Sequence, residues 1–154
     1  MAIEEGAKLP DIELATSGGG RVNLRDYAGR PFVLYFYPKD DTSGCTREAQ
    51  DFSRLLPEFQ ALGCELLGVS RDAPLKHQKF IDKYDLTVPL ATDDTGAAIE
   101  AFGTWVEKRL YGKTYMGIDR STYLFDAAGV LNRVWRKVRV PGHAVAVLEA
   151  VREL

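Results

Sequence analysis

Apolar residues along the chain fall into two spacings, and the alternation between them outlines the fold. Residues 32–37, FVLYFY, are apolar without a break, as a strand covered on both faces requires. From Cys45 the apolar positions are Ala49, Phe52, Leu56 and Phe59, which lie on one face of an α-helix. This helix is expected to run to about Leu62, with a kink or an early end at Pro57. CELLGVS (64–70) reads as a second buried strand and APLKHQKFIDKYD (73–85) as a helix with Pro74 in its first turn. VPLATD (88–93) is a third strand, and GAAIEAFGTW (96–105) a short helix stopped by Gly103. DIELATSGGGRVNLRDY (11–27) reads as two short strands around Ser17-Gly18-Gly19-Gly20. STYLFDAAGVLNRVWRKV (121–138) reads as a hairpin turning at Asp126-Ala127-Ala128-Gly129, and HAVAVLEAVREL (143–154) as an amphipathic closing helix.

The predicted order is a hairpin, then β-α-β-α-β-α, then a hairpin and a last helix. Alternating strands and helices imply a largely parallel sheet covered on both faces, and the second hairpin makes it mixed. The expectation is an α/β protein compatible with a thioredoxin-like fold, its mixed sheet flanked by helices and extended by an N-terminal β-hairpin. No repeat, low-complexity tract or linker divides the 154 residues, so one domain over 1–154 is expected.

A hydrophobic fraction of 45% with 27% charged residues is the balance of a soluble globular protein. A net charge of -2 supplies no electrostatic footprint for nucleic acid or acidic lipid. The basic run Arg133, Arg136, Lys137 and Arg139 alternates with Val134, Trp135, Val138 and Val140, as on the solvent face of a strand. MAIEEGAKLPDIEL carries acids where a leader needs bases, and FVLYFY is too short to cross a bilayer. Two cysteines at unrelated spacing form neither a disulfide framework nor a metal site, so the cytoplasm is the default compartment.

One of those cysteines is oddly placed. Cys45 sits within YPKDDTSGCTREAQDF (37–52), among polar neighbours, in the first turn of the predicted helix. There the helix dipole and unpaired N–H groups favour thiolate, the nucleophilic form. Thr42 and Ser43 are capping types, and Gly44 allows close approach of a ligand. A buried filler would have apolar neighbours, so Cys45 reads as a reactive cysteine.

The spacing Pro38-x-x-x-Thr42-x-x-Cys45 resembles the active-site signature of the peroxiredoxins. YFYPKDDTSGCTREAQDF, LLGVSRD (66–72), VPLATD (88–93) and YGKTYMGIDRSTYLFDAAG (111–129) are similar to the bacterioferritin-comigratory, or Q-type, branch. The resemblance spans nearly the whole chain. It implies a thiol peroxidase in which Cys45 attacks the peroxide O–O bond and becomes a sulfenic acid. Thr42 would hold the peroxide oxygens, Pro38 would shield the site from water, and Arg120 would pair with the thiolate and polarise the leaving oxygen. Glu48 would orient that arginine. Read without the resemblance, Arg120 is a surface strand charge, Thr42 a helix cap and Glu48 a dipole partner at the helix start. No cofactor or metal is implied; displacement at oxygen needs only donors already aimed at the developing charge.

The sequence departs from the Q-type pattern at the second thiol. Many members carry a resolving cysteine five residues after the first, where this chain has Gln50; others carry it on the next helix, which here has none. A helix from 45 to 60 is roughly 23 Å long, whereas a disulfide needs Cα atoms within about 7 Å. Cys64 is therefore read as core packing, with a two-cysteine cycle through it as the alternative. The expected cycle uses one cysteine and an external thiol reductant: thioredoxin, a glutaredoxin, glutathione or another small thiol. Over-oxidation competes with that reduction. A dithiol oxidoreductase is disfavoured by the absence of C-x-x-C, leaving a redox switch or holdase-like protein as the non-enzymatic alternative. A monomer, or at most a weak homodimer, is expected. His77 and His143 are not placed as bases, and Asp40, Asp41, Asp93 and Asp94 read as solvated turn formers. Trp105 and Tyr111 are candidates for lining the path to Cys45, Trp105 being equally a packing residue.

Overall fold

In chain order the elements are β1 (Glu13–Thr16), β2 (Arg21–Asn23), β3 (Phe32–Phe36), α1 (Ser43–Ala61), β4 (Glu65–Ser70), α2 (Pro74–Tyr84) and β5 (Leu90–Thr92). There follow α3 (Ala97–Phe102), β6 (Trp105–Leu110), β7 (Lys113–Ile118), β8 (Ser121–Phe125), β9 (Leu131–Trp135) and α4 (His143–Arg152). The computed structural model describes residues 2–154; Met1, which heads the stretch tested above for a leader, lies outside them. Seven strands form one sheet in the order β2-β1-β5-β4-β3-β8-β9, parallel between β3 and β4 and between β4 and β5, antiparallel elsewhere. The mixed sheet and the N-terminal hairpin match expectation.

The uninterrupted apolar run at β3 fills two cores at once. Val33, Tyr35 and Tyr37 face the cluster that includes Phe52 and Phe59 of α1 and Val147 and Leu148 of α4. Phe32, Leu34 and Phe36 face the opposite cluster with Ala98, Ile99 and Phe102 of α3. A period of two on a strand covered from both sides leaves no polar position, which is why the run is continuous. Its register with β4 places Tyr35 beside Gly68. The tyrosine ring occupies the space of a side chain there: a Cβ on Gly68 would lie 2.5 Å from Tyr35 Cζ.

Three expectations need correction. Pro57 does not end α1, which runs on to Ala61. Proline removes the N–H that would have bonded to the carbonyl of Ser53. That carbonyl instead accepts the Thr87 hydroxyl at 3.2 Å, while the Ser53 hydroxyl accepts the backbone N–H groups of Thr87 and Val88, each at 3.0 Å. The second correction is the ribbon β6–β7, which the sequence pattern did not reveal. It pairs only with itself, and most of its side chains are exposed, so no face carries a clean alternation. Its turn has positive φ at Tyr111 (51°) and Gly112 (75°), as a two-residue type I′ hairpin demands. The third concerns the basic run. β9 ends at Trp135, Arg133 stacks over that indole, and Arg136 turns inward to donate to the Phe102 carbonyl and the Tyr123 hydroxyl. Only Arg133 lies on a strand.

Among the described residues no helix is long and apolar enough to cross a membrane.

Candidate active site

The chain leaves β3 at the centre of the sheet, passes through a loop at residues 37–42 and enters α1, whose first turn carries Cys45. Thr42 occupies the cap position with extended backbone, and its carbonyl accepts the Thr46 N–H at 2.8 Å. Its side chain does not cap the helix. The hydroxyl donates back to the Lys39 carbonyl at 2.8 Å, which commits the only hydroxyl proton and leaves the oxygen as an acceptor. Pro38 is half-buried in the same loop.

Cys45 is 2% exposed. Arg120 reaches it from the turn between β7 and β8, donating from Nη2 to Sγ at 3.3 Å. The other branch of the guanidinium donates from Nη1 to Glu48 Oε1 at 2.7 Å. The arginine thus bridges two groups one helical turn apart, and neither it nor Glu48 is a surface charge: their side chains are 17% and 1% exposed. The backbone around Arg120 is fastened on both sides, since its carbonyl accepts Val138 N–H at 2.9 Å and the Asp119 N–H donates to the Thr104 carbonyl at 2.6 Å. Gly44 also has a structural role beyond the one expected. A Cβ there would stand 3.1 Å from Arg120 Nη2, so the missing side chain makes room for the guanidinium.

Burial pushes the Glu48 carboxyl up to about 7, against the pull of Arg120. Its second oxygen and the Tyr35 hydroxyl are both buried with no hydrogen-bond partner. Arg120 itself loses hydration on burial, but Glu48 and Cys45 more than offset this and its pKa is raised. Lys108, on the ribbon, adds a second cation within Coulombic reach of Cys45; burial lowers its pKa. Sequence reading missed Lys108 because the ribbon itself was not foreseen.

Cys64 lies beyond the far end of α1, also 2% exposed. Burial, with the nearby Glu65 charge, pushes its thiol up to about 12, and Sγ donates to the Glu65 carbonyl at 3.5 Å. Both cysteines are free thiols.

Of the remaining candidates, Tyr111 is 95% exposed at the ribbon tip and lines nothing. Trp105 borders an open depression of about 470 Å³ together with Pro38, Lys39, Arg71, Lys108 and Met116. His143 is a buried ring whose Nε2 meets the Thr122 hydroxyl at 2.8 Å; burial, then Arg120, lowers its pKa to about 4. Two of the four acids are not solvated turn formers. Asp93 is fully buried and accepts the N–H groups of Ala98 and Ile99 at the start of α3. Asp40, 2% exposed, pairs with His77, whose own side chain is wholly buried. Their separation of 37 residues hid the pair from any local reading. No group of three His, Cys, Asp or Glu side chains among the described residues could hold a metal ion.

A helix-start cysteine buried under a guanidinium at the C-terminal end of an inner strand of a thioredoxin-like sheet is the arrangement of a thiol-dependent enzyme, and similarity narrows the class. The AhpC/TSA family model matches residues 6–134. Peroxiredoxin Bcp of Bacillus subtilis is 46% identical over 154 residues, covering 100% of this chain and 98% of the relative. Peroxiredoxin Bcp of Xanthomonas campestris is 48% identical over 150 residues, 97% of this chain and 94% of the relative. The solved structure of the Xanthomonas campestris bacterioferritin comigratory protein superposes with a TM-score of 0.90 at 45% identity, over 97% of this chain and 98% of that one. A mutant of Xylella fastidiosa PrxQ superposes at 0.93 with 37% identity, over 99% and 98%. The chain therefore belongs to the AhpC/TSA family, among its peroxiredoxins, and is a thiol peroxidase taking a peroxide and a thiol reductant as substrates.

Proposed function

We propose that the chain reduces hydrogen peroxide and organic hydroperoxides through Cys45 in a one-cysteine cycle. The Cys45 thiolate attacks one peroxide oxygen; an S–O bond forms as the O–O bond breaks. Sulfur is oxidised by two electrons to sulfenic acid, and the departing oxygen takes up a proton to leave as water or alcohol. The arginine bridge carries this reading: one guanidinium donates to Sγ at 3.3 Å and to Glu48 at 2.7 Å, so it faces both the nucleophile and the space where negative charge develops. Glu48 holds its orientation. Thr42, its proton committed to Lys39, receives the peroxide O–H as an acceptor. Pro38 excludes water from one side. The depression beside Pro38, with Trp105 and Met116 in its wall, gives room for an alkyl group, and the Xanthomonas campestris relative is described by its alkyl peroxide reduction activity.

The sulfenic acid is reduced by an external thiol: thioredoxin, a glutaredoxin, glutathione or another small thiol. Cys64 does not resolve it. Nineteen helical residues of α1, about 28 Å at ~1.5 Å per residue, separate the ends at which the two thiols lie. The protein acts as a monomer, or at most a weak homodimer, in the cytoplasm.

Intact mass measured after one equivalent of peroxide, under non-reducing conditions with a sulfenic-acid trap, tests the cycle. One trap per chain at Cys45 is expected. Loss of two hydrogens without trapping means a disulfide to Cys64 and overturns the one-cysteine cycle. No change overturns peroxide reduction at Cys45 and leaves a redox-switch or holdase-like reading.

A further inference from the structure

Asp40 and His77 take no direct part in the chemistry just described, yet they are among the most thoroughly buried polar side chains of the protein. Asp40 stands midway between Pro38 and Thr42 in the loop that precedes Cys45. Its Oδ1 accepts the Tyr37 hydroxyl at 2.6 Å, and its Oδ2 lies 2.6 Å from His77 Nδ1 on α2. The second ring nitrogen, Nε2, lies 2.9 Å from the Ala91 carbonyl on β5. A carbonyl can only accept, so Nε2 carries a proton and donates it. Between Nδ1 and Oδ2 one further proton is shared, and whichever atom holds it the pair is neutral overall. That neutrality makes complete burial tolerable.

These bonds tie a loop to two elements it would otherwise only pass. The Asp40 N–H donates to Asp72 Oδ2 at 2.8 Å in the turn before α2. Asp41 next to it has φ 62°, unfavourable for a residue with a side chain, and that side chain accepts from Lys83 at 2.9 Å and the Tyr84 hydroxyl at 2.5 Å near the end of α2. A strained residue persists only where its surroundings over-determine it, and here the buried pair is the fixed point beside the strain.

We propose that the buried Asp40–His77 pair is a positioning device for the peroxide-reducing site, anchoring loop 37–42 to α2 and β5 so that Pro38 and Thr42 keep their places ahead of Cys45. The proposal rests on the reading of Cys45 as the peroxide-reducing residue. Neither Asp40 nor His77 touches sulfur or peroxide; they act through the loop.

The test measures two constants in the full-length protein: the stopped-flow rate constant for sulfenic acid formation at Cys45 with hydrogen peroxide, and kcat/KM for the thiol reductant. Asp40→Ala removes the carboxylate that ties the loop to His77, leaving Tyr37 and His77 Nδ1 only each other at 3.3 Å, and is expected to lower the peroxide constant about tenfold or more, without lowering the reductant constant. Asp40→Asn is the conservative rescue. Its amide can donate to Nδ1 and its carbonyl can accept Tyr37, so the peroxide constant is expected to return to within about threefold of the parent. A peroxide constant unchanged in Asp40→Ala, equal falls in both constants, or an Asn variant as slow as the Ala variant would each overturn the proposal. If Asp40→Ala does not fold, His77→Gln removes the imidazole that joins Asp40 to α2 and β5 while keeping a polar side chain. A fall of about threefold in the peroxide constant alone then supports the anchor, and no change overturns it. The parent and Cys45→Ser are run alongside: sulfenic acid formation absent from the parent, or persisting in Cys45→Ser, removes the reading of Cys45, whereas normal controls with an unaffected Asp40→Ala remove only the anchor.

Discussion

The two cysteines invite comparison because burial does not distinguish them: each is 2% exposed. They sit at opposite ends of the same helix region and share one hydrophobic cluster. What differs is the polar group each one meets. Burial, then the Glu65 carboxylate, pushes the Cys64 thiol up to about 12, and its Sγ donates to the Glu65 carbonyl. Cys45 finds a guanidinium donating to sulfur and a helix start beneath it. Equal burial is thus compatible with two different polar settings, and in the proposed function the guanidinium is what sets Cys45 apart as the reacting thiol.

The comparison breaks most sharply at the sulfur itself. Cys45→Ser is expected to lower peroxide turnover by ~10³-fold or more, whereas Cys64→Ser leaves it within about twofold, in a coupled assay with the thiol reductant. Next comes the arginine. Arg120→Ala is expected to lower kcat/KM for peroxide ~10²–10³-fold, and Arg120→Lys to recover only part of this, because an ammonium cannot donate in a planar fork to Sγ and Oε1 together. Pre-steady-state peroxide kinetics reads both variants.

Glu48 sharpens the contrast through pH. Its folded value of about 7 lies above the ordinary 4.5, so between those values the folded chain binds the proton that the unfolded chain has released. Stability from this group therefore falls as pH rises through that window, by up to about 1.4 kcal/mol per pH unit. His143, held near 4 by burial and by Arg120, works oppositely: folding is favoured as pH rises from about 4 toward 6.5. The difference between parent and Glu48→Gln isolates the carboxylate, and urea unfolding at pH 5 and pH 7.5 should show the variant gaining on the parent at the higher pH. The smallest effect belongs to Cys64→Ser, expected to cost about 1–2 kcal/mol of unfolding free energy by placing a hydroxyl in a core that offers it one long acceptor.

Most elements were legible because their periodicity is local: the β3 run, the α1 stripe from Cys45 to Phe59 and the Gly103 stop all reappear. Cys45, Thr42 and Pro38 were legible as a spaced motif, and Arg120 and Glu48 through resemblance. What escaped depends on partners distant in sequence. Pro57 is harmless because Thr87 arrives with a hydroxyl, and Asp40 looks solvated until His77 closes over it. Gly44 read as an opening for ligand, since the guanidinium filling that opening comes from residue 120. The β6–β7 ribbon was missed for a different reason. Of its side chains only Ile118 is fully buried, so its sequence carries little pattern beyond its turn.

The bond from Thr87 to Ser53 also bears on how the chain assembles during synthesis. The Cys45 end of α1 emerges first, but the carbonyl left open by Pro57 has no partner within the protein until residue 87 has been made and docked. A nascent chain halted at residue 86 therefore holds an α1 with a gap in its ladder four residues before the proline. The helix that carries Cys45 is completed from outside, by the segment that leads into the last parallel strand.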